Sequence, residues 1–149
     1  MRLVGFDFKK ISVERFKDQT ESLKFNTKID ISSIDTIKSD IFKSREELLK
    51  ISFTYSVLYE PEFAKIELKG DIILAIEPKI AKEILRGWKD KDKQTSEEFR
   101  IFIFNIILRK SNIKALQLED ELGLPSHIPL PSLSKENIEE KKNSQTLKK

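Results

Sequence analysis

The sequence predicts an α+β fold in which an antiparallel sheet fills the first half of the chain and two C-terminal helices cover one of its faces. Three observations carry this. Leu49, Ile51, Phe53, Tyr55, Val57 and Tyr59 alternate with Lys50, Ser52, Thr54 and Ser56, which is the period of two of a half-buried strand. Glu60-Pro61-Glu62 then turns the chain into a second alternating run, Ala64, Ile66 and Leu68 against Lys65, Glu67 and Lys69, so the pair reads as a hairpin with one apolar face. After Ile76 the apolar spacing becomes helical.

The other elements follow in chain order. Leu3 to Phe16 is a strand whose parity slips at Lys9-Lys10: Val4, Phe6 and Phe8 share one phase, Ile11 and Val13 the other, and a bulge at the slip keeps both sets on one face. Lys17 to Leu23 is polar. Lys24 to Ser32 alternates again, with Phe25, Thr27, Ile29 and Ile31 in phase, giving four strands in all. Ser33 to Arg45 shows no clear period and is expected to be a connection or short helix. Pro78 suits a first helical turn, and Ile80, Ile84, Leu85 and Trp88 recur at helical spacing for about three turns. Thr95-Ser96-Glu97-Glu98 supplies hydroxyl caps and first-turn carboxylates for a second helix. From Phe99 to Leu108 its only polar residues are Arg100 and Asn105, so one sheet face cannot satisfy it. A partner subunit is the simplest second surface, with Phe99, Phe102, Ile103 and Ile106 as the expected oligomer contacts. Ile113 to Leu122 continues or restarts helix, and Leu124 to Pro131, with three prolines, is extended.

Residues 1–133 are thus expected to form one domain and 134–149 a mobile charged tail. The chain has 149 residues and a net charge of +3. Five lysines and three glutamates of the tail take +2 of that charge and leave +1, so charge does not demand a nucleic-acid partner. Nor does the polar sheet face carry aromatics for base stacking. There is no cysteine and only one histidine, which argues against thiolate or His-rich metal centres and fits a reducing, cytoplasmic home. No apolar run approaches the roughly 18 residues of a membrane span, and Asp7 comes too early for a signal peptide.

Catalytic signals are weak. None of Gly5, Gly70, Gly87 and Gly123 precedes a Lys-Ser/Thr pair, so no phosphate loop or nucleotide cofactor is expected. The acid pairs Glu46-Glu47, Glu97-Glu98 and Glu119-Asp120 read as solvated or helix-capping charge, and His127 as a hydrogen-bonded or exposed side chain. No catalytic residue, metal or cofactor is assigned. What stands out is apolar surface in excess of what one small domain buries. It reads equally as core plus oligomer interface or as a groove for extended segments of other chains.

The order of elements and several local strings resemble the SecB export-chaperone family. Phe6-Asp7-Phe8-Lys9-Lys10-Ile11-Ser12-Val13-Glu14 is similar to that family's opening strand, and Lys28-Ile29-Asp30-Ile31 to its second. The strands from Leu49 to Tyr59 and from Phe63 to Ile76 match in length and alternation, and Leu124-Pro125 through Leu133 resembles the segment that crosses back after the helices. The resemblance implies a four-stranded antiparallel sheet with two helices, a homotetramer built as a dimer of dimers, and an ATP-independent holdase that keeps unfolded polypeptides in apolar grooves. By position, Leu23, Phe25, Ile29 and Ile31, with Phe6 and Phe8, become groove candidates, flanked by Leu85 and Trp88. In the family an acidic sheet face engages the motor SecA. Glu14 and Glu67 match acidic positions here, but Lys10 replaces an acid and Lys65 an aliphatic, which reverses the local potential and makes a SecA-type partner doubtful. A role on one dedicated partner, such as an antitoxin in a toxin–antitoxin–chaperone system, stands beside the export role.

Overall fold

The computed structural model describes residues 1–38, 45–90 and 94–135. Four antiparallel strands, β1 (Arg2–Arg15), β2 (Lys24–Ile37), β3 (Glu47–Glu60) and β4 (Ala64–Ile76), form one sheet in the order β1-β4-β3-β2, followed by helices α1 (Pro78–Lys89) and α2 (Glu97–Leu122). The tight β3–β4 hairpin is therefore the centre of the sheet, and β1 and β2 are its edges.

The central alternation is complete. Leu49, Ile51, Phe53, Tyr55, Val57 and Tyr59 of β3, with Ile66, Leu68, Ile72 and Leu74 of β4, are all at most 1% exposed, and the helices cover that face. The edge strands are covered less well: Phe6, Phe8, Val13, Ile29 and Ile31 are half-buried and packed against the same core.

The expected bulge in β1 is present, as a register shift between Phe8 and Lys10. It lets Phe8 pair with Gly70 and Ile11 with Leu68, so both phases reach the core face. β1 has another shift between Leu3 and Gly5, and a third shift in the sheet lies in β2, between Ile31 and Ser33. That shift overturns the expectation of a connection or short helix from Ser33: the strand runs on to Ile37, and Ile34, opposite Ile51, returns to the core face at 5% exposure. A strict period of two misses this because the bulge inserts one residue. The remainder of that expectation, 39–44, lies outside the described residues, as does the tail from 136.

Gly70 marks a close approach within the sheet. A Cβ there would lie 2.5 Å from the Asp7 carbonyl oxygen and 2.9 Å from Phe53 Cζ. Its bare backbone is the floor on which the Phe53 ring rests, and Phe6 and Phe8 close the sides with ring centroids 5.5 and 6.5 Å from that of Phe53.

α2 is a single 26-residue helix, roughly 39 Å long at 1.5 Å per residue, so the segment from Ile113 continues rather than restarts. Ser96 Oγ accepts from the Phe99 N–H at 3.2 Å, Glu97 and Glu98 occupy the first turn, and Gly123, left-handed at φ 64, ends the helix. Ser96→Ala should cost about 1 kcal/mol in a urea titration. A change within error would mean that water caps this end equally well.

The faces of α2 are not equivalent. Phe99, Ile103, Ile107, Ser111, Ala115, Leu118 and Glu119 form the buried stripe, so Phe99 and Ile103 are already covered by this chain's own core. Phe102 and Ile106 are half-buried against it, and the exposed side presents Ile101 and Ile113, each 54% exposed, beside Asn105. On α1 the buried line is Ala81 and Ile84 with half-buried Leu85 and Trp88, while Ile80 turns outward.

Candidate functional site

An apolar opening lies at the β2 edge of the sheet. Ile29, Ile31 and Ile34 of β2, Trp88 of α1, and Phe99, Arg100, Ile103 and Phe104 of α2 surround a cavity of about 210 Å³, with Thr95 and Asp30 completing the wall. Two sequence features build it. The β2 bulge keeps Ile34 in phase with Ile29 and Ile31, giving the groove a continuous aliphatic floor. Gly87 allows the chain entering α2 to run against α1, since a Cβ there would overlap the Gln94 carbonyl oxygen. That contact holds the end of α1, with Trp88, close to the start of α2, with Phe99.

The sequence-derived candidates divide. Ile29, Ile31 and Trp88 come together in this cavity. Phe25, 40% exposed, sits further along β2 with its ring 5.1 Å from that of Tyr59, while Leu23 and Leu85 pack against the core without lining the cavity. Phe6 and Phe8 belong elsewhere. They lie on β1 at the opposite edge, three strand spacings or roughly 14 Å away across the sheet, where they pack with Phe53 and where Lys110 Nζ stands over the Phe6 ring. Alternation shows that these residues share a face, but strand order decides which end of it they occupy. Phe104 and Arg100 are the wall residues that periodicity did not single out; their i, i+4 spacing beside Phe99 and Ile103 was the available signal.

On the outer face, Glu14 and Glu67 line a small polar recess with Lys10, Ser12 and Lys65. Lys10 Nζ lies 2.7 Å from Glu67 Oε1 and Lys65 Nζ 3.2 Å from Oε2. These two ammonium groups, Lys10 first, hold the Glu67 carboxyl below the usual carboxylate range. Glu67 is thus paired with two lysines rather than presented as a bare acid.

A polar cluster, closed off from solvent, lies under the C-terminal part of α2. Glu119, 1% exposed, accepts from the Tyr59 hydroxyl, from the His127 N–H at 2.8 Å and from His127 Nδ1 at 2.7 Å. His127 Nε2 is 3.0 Å from both the Tyr55 hydroxyl and Asn112 Oδ1, and Tyr55 also donates to Asn112 at 2.6 Å. Glu119 is therefore not the solvated charge that Glu119-Asp120 suggested. Burial, then Glu119's hydrogen bond and charge, push the Tyr59 phenol well above its ordinary value; burial, then Glu119's charge, do the same to Tyr55. The cluster's visible work is to fasten the segment after α2 onto the sheet. Among the described residues no group of three or more His, Cys, Asp or Glu is placed to hold a metal, and no helix is long and apolar enough to cross a membrane.

The fold is that of the SecB-like chaperones. No protein-family model and no curated protein matches the chain. Among solved structures it is similar to the Mycobacterium tuberculosis SecB-like chaperone Rv1957 in complex with a ChAD peptide from the Rv1956 HigA1 antitoxin. The TM-score is 0.51 at 12% sequence identity, over 90% of this chain and 91% of that one. The likeness thus lies in the architecture rather than in the residues.

Proposed function

We propose that this protein is an ATP-independent, holdase-type chaperone that binds extended apolar polypeptide segments in the groove between β2, α1 and α2. The observation that carries the proposal is the cavity itself, an aliphatic and aromatic slot of about 210 Å³ beside an edge strand, with Trp88 and Phe104 on its walls. The SecB-like architecture supports the same reading. On this reading the protein binds rather than catalyses, and the acid and imidazole of Glu119 and His127 spend their hydrogen bonds on each other, on the backbone and on buried tyrosines. A second reading, one dedicated partner such as an antitoxin, is favoured by the antitoxin peptide bound to the M. tuberculosis protein.

We also propose self-association, up to the tetramer, through the outward side of α2 around Ile101 and Ile113, and residence in the cytoplasm. Light scattering should give a mass above the 17.4 kDa of one chain, reduced by Ile101→Asp. A folded monomer at micromolar concentration would remove this part of the proposal.

The groove is tested by suppression of aggregation of an unrelated unfolding protein without nucleotide. The protein should suppress it at a several-fold excess and in half-molar salt, because apolar burial survives salt whereas lysine-driven binding does not. Ile31→Ser with Phe104→Ser should abolish the effect, each replacement losing up to about 1.5–3 kcal/mol of client burial. Activity that collapses with salt and ignores the double variant would move the function to the lysines. Inactivity toward unrelated proteins, with one partner recovered by pull-down, would favour the dedicated-partner reading.

A further inference from the structure

Arg100 gives the groove a charge preference that its apolar lining does not. Arg100 lines the cavity one helical turn before Phe104, its side chain is exposed, and it makes no ion pair or side-chain hydrogen bond among the described residues. Asp30 also borders the cavity, but its neighbours Ile29 and Ile31 face the core opposite Tyr55 and Phe53, so strand alternation directs the Asp30 side chain to the other face and leaves its main chain at the groove. The remaining described wall residues are Thr95 and apolar side chains. The described part of the groove therefore offers one charged side chain, positive, next to a mostly apolar slot.

We infer that the groove selects extended segments in which a large apolar side chain is flanked by a carboxylate, Arg100 pairing with the Asp or Glu while the apolar side chain enters between Trp88 and Phe104. The inference rests on the groove reading and adds a specificity to it. A carboxylate matches the planar fork of a guanidinium bidentately, and the adjoining apolar wall lowers the local dielectric, so the pair exceeds what two freely solvated charges achieve. Segments flanked by lysine would meet repulsion at the same place.

Trp88 is the only tryptophan of the chain and lines the cavity, so its emission reports occupancy. The test titrates the full-length protein with three 12-residue peptides that share a central Phe, Leu and Ile at alternate positions and carry Glu, Gln or Lys on both flanks. At low salt the Glu-flanked peptide should bind about two- to five-fold more tightly than the Gln-flanked one, and the Lys-flanked peptide more weakly than either. The gap should narrow in half-molar salt. Arg100→Gln should erase the ranking among the three peptides, and Arg100→Glu should invert it; Arg100 is exposed, so both variants keep the fold. Binding of all three peptides with no ranking, or a ranking that survives Arg100→Gln, overturns the inference and leaves the groove standing. If none of the peptides shifts Trp88 emission, the groove and its preference fall together.

Discussion

Glu119→Ala is expected to lower stability by about 3–5 kcal/mol, a large part of the 5–15 kcal/mol that typically separates folded from unfolded domains. The carboxylate takes three donors at once, the Tyr59 hydroxyl and two N–H groups of His127. Its removal leaves the two His127 N–H groups buried without an acceptor, each at about 1–3 kcal/mol, leaves the Tyr59 hydroxyl only the longer bond to the Pro125 carbonyl oxygen at 3.3 Å, and opens a void where the side chain stood. Urea denaturation of the variant measures the loss; a change below about 1 kcal/mol would mean that water replaces the carboxylate. Glu119→Gln should fall between the two, because one amide oxygen cannot serve three donors.

The same cluster sets a pH limit. Tyr55 and Tyr59 hold their protons in the folded state beyond the pH at which an unfolded phenol, near 10, gives them up. The unfolded chain therefore binds fewer protons as pH rises past about 10, and stability, fully present below that point, declines from there upward. Tyr59→Phe should be less stable at neutral pH yet show a shallower alkaline decline. An equal slope in parent and variant would place the alkaline sensitivity elsewhere.

Phe53→Ala is expected to cost a similar 3–5 kcal/mol, through lost burial and the cavity left behind. Phe53 is 1% exposed, lies over the bare backbone of Gly70 and meets Phe6 and Phe8, so its ring ties β3 across β4 to the β1 edge. Gly70→Ala should also destabilise, but less so in the Phe53→Ala background, since one of the two obstacles to the new methyl group is then gone. The Asp7 carbonyl remains the other, so the rescue should be partial. Full additivity in the double-mutant cycle would show that Phe53 and Gly70 do not share the site.

The β3–β4 hairpin was legible because both strands are central and their alternation is unbroken over most of their length. The bulge in β1 was legible because Phe6, Phe8, Ile11 and Val13 are large enough to show two phases. In β2 the residues beyond the bulge were too sparse for that: Ile34 and Ile37 read as noise until Ile51 and Leu48 are seen opposite them. Glu119 was misread because its environment is non-local; Tyr59 lies 60 residues away, and the adjacent Asp120 is exposed, as an ordinary helix carboxylate would be. The groove was half legible. Ile29, Ile31 and Trp88 were named from a family likeness, whereas the separation of Phe6 and Phe8 from them follows from the strand order β1-β4-β3-β2, which alternation alone does not encode.

Both outer strands of the sheet carry register shifts, between Leu3 and Gly5 and between Phe8 and Lys10 on one side and between Ile31 and Ser33 on the other. A bulged strand twists more strongly and breaks the even ladder that a second sheet needs in order to stack edge to edge. If the proposed function holds, a protein that keeps apolar surface open for other chains runs a standing risk of seeding fibres from its own copies, most of all when crowded with half-folded material. The irregular borders counter that risk geometrically: they permit short contacts along either margin while denying the long, flat template on which a filament would elongate.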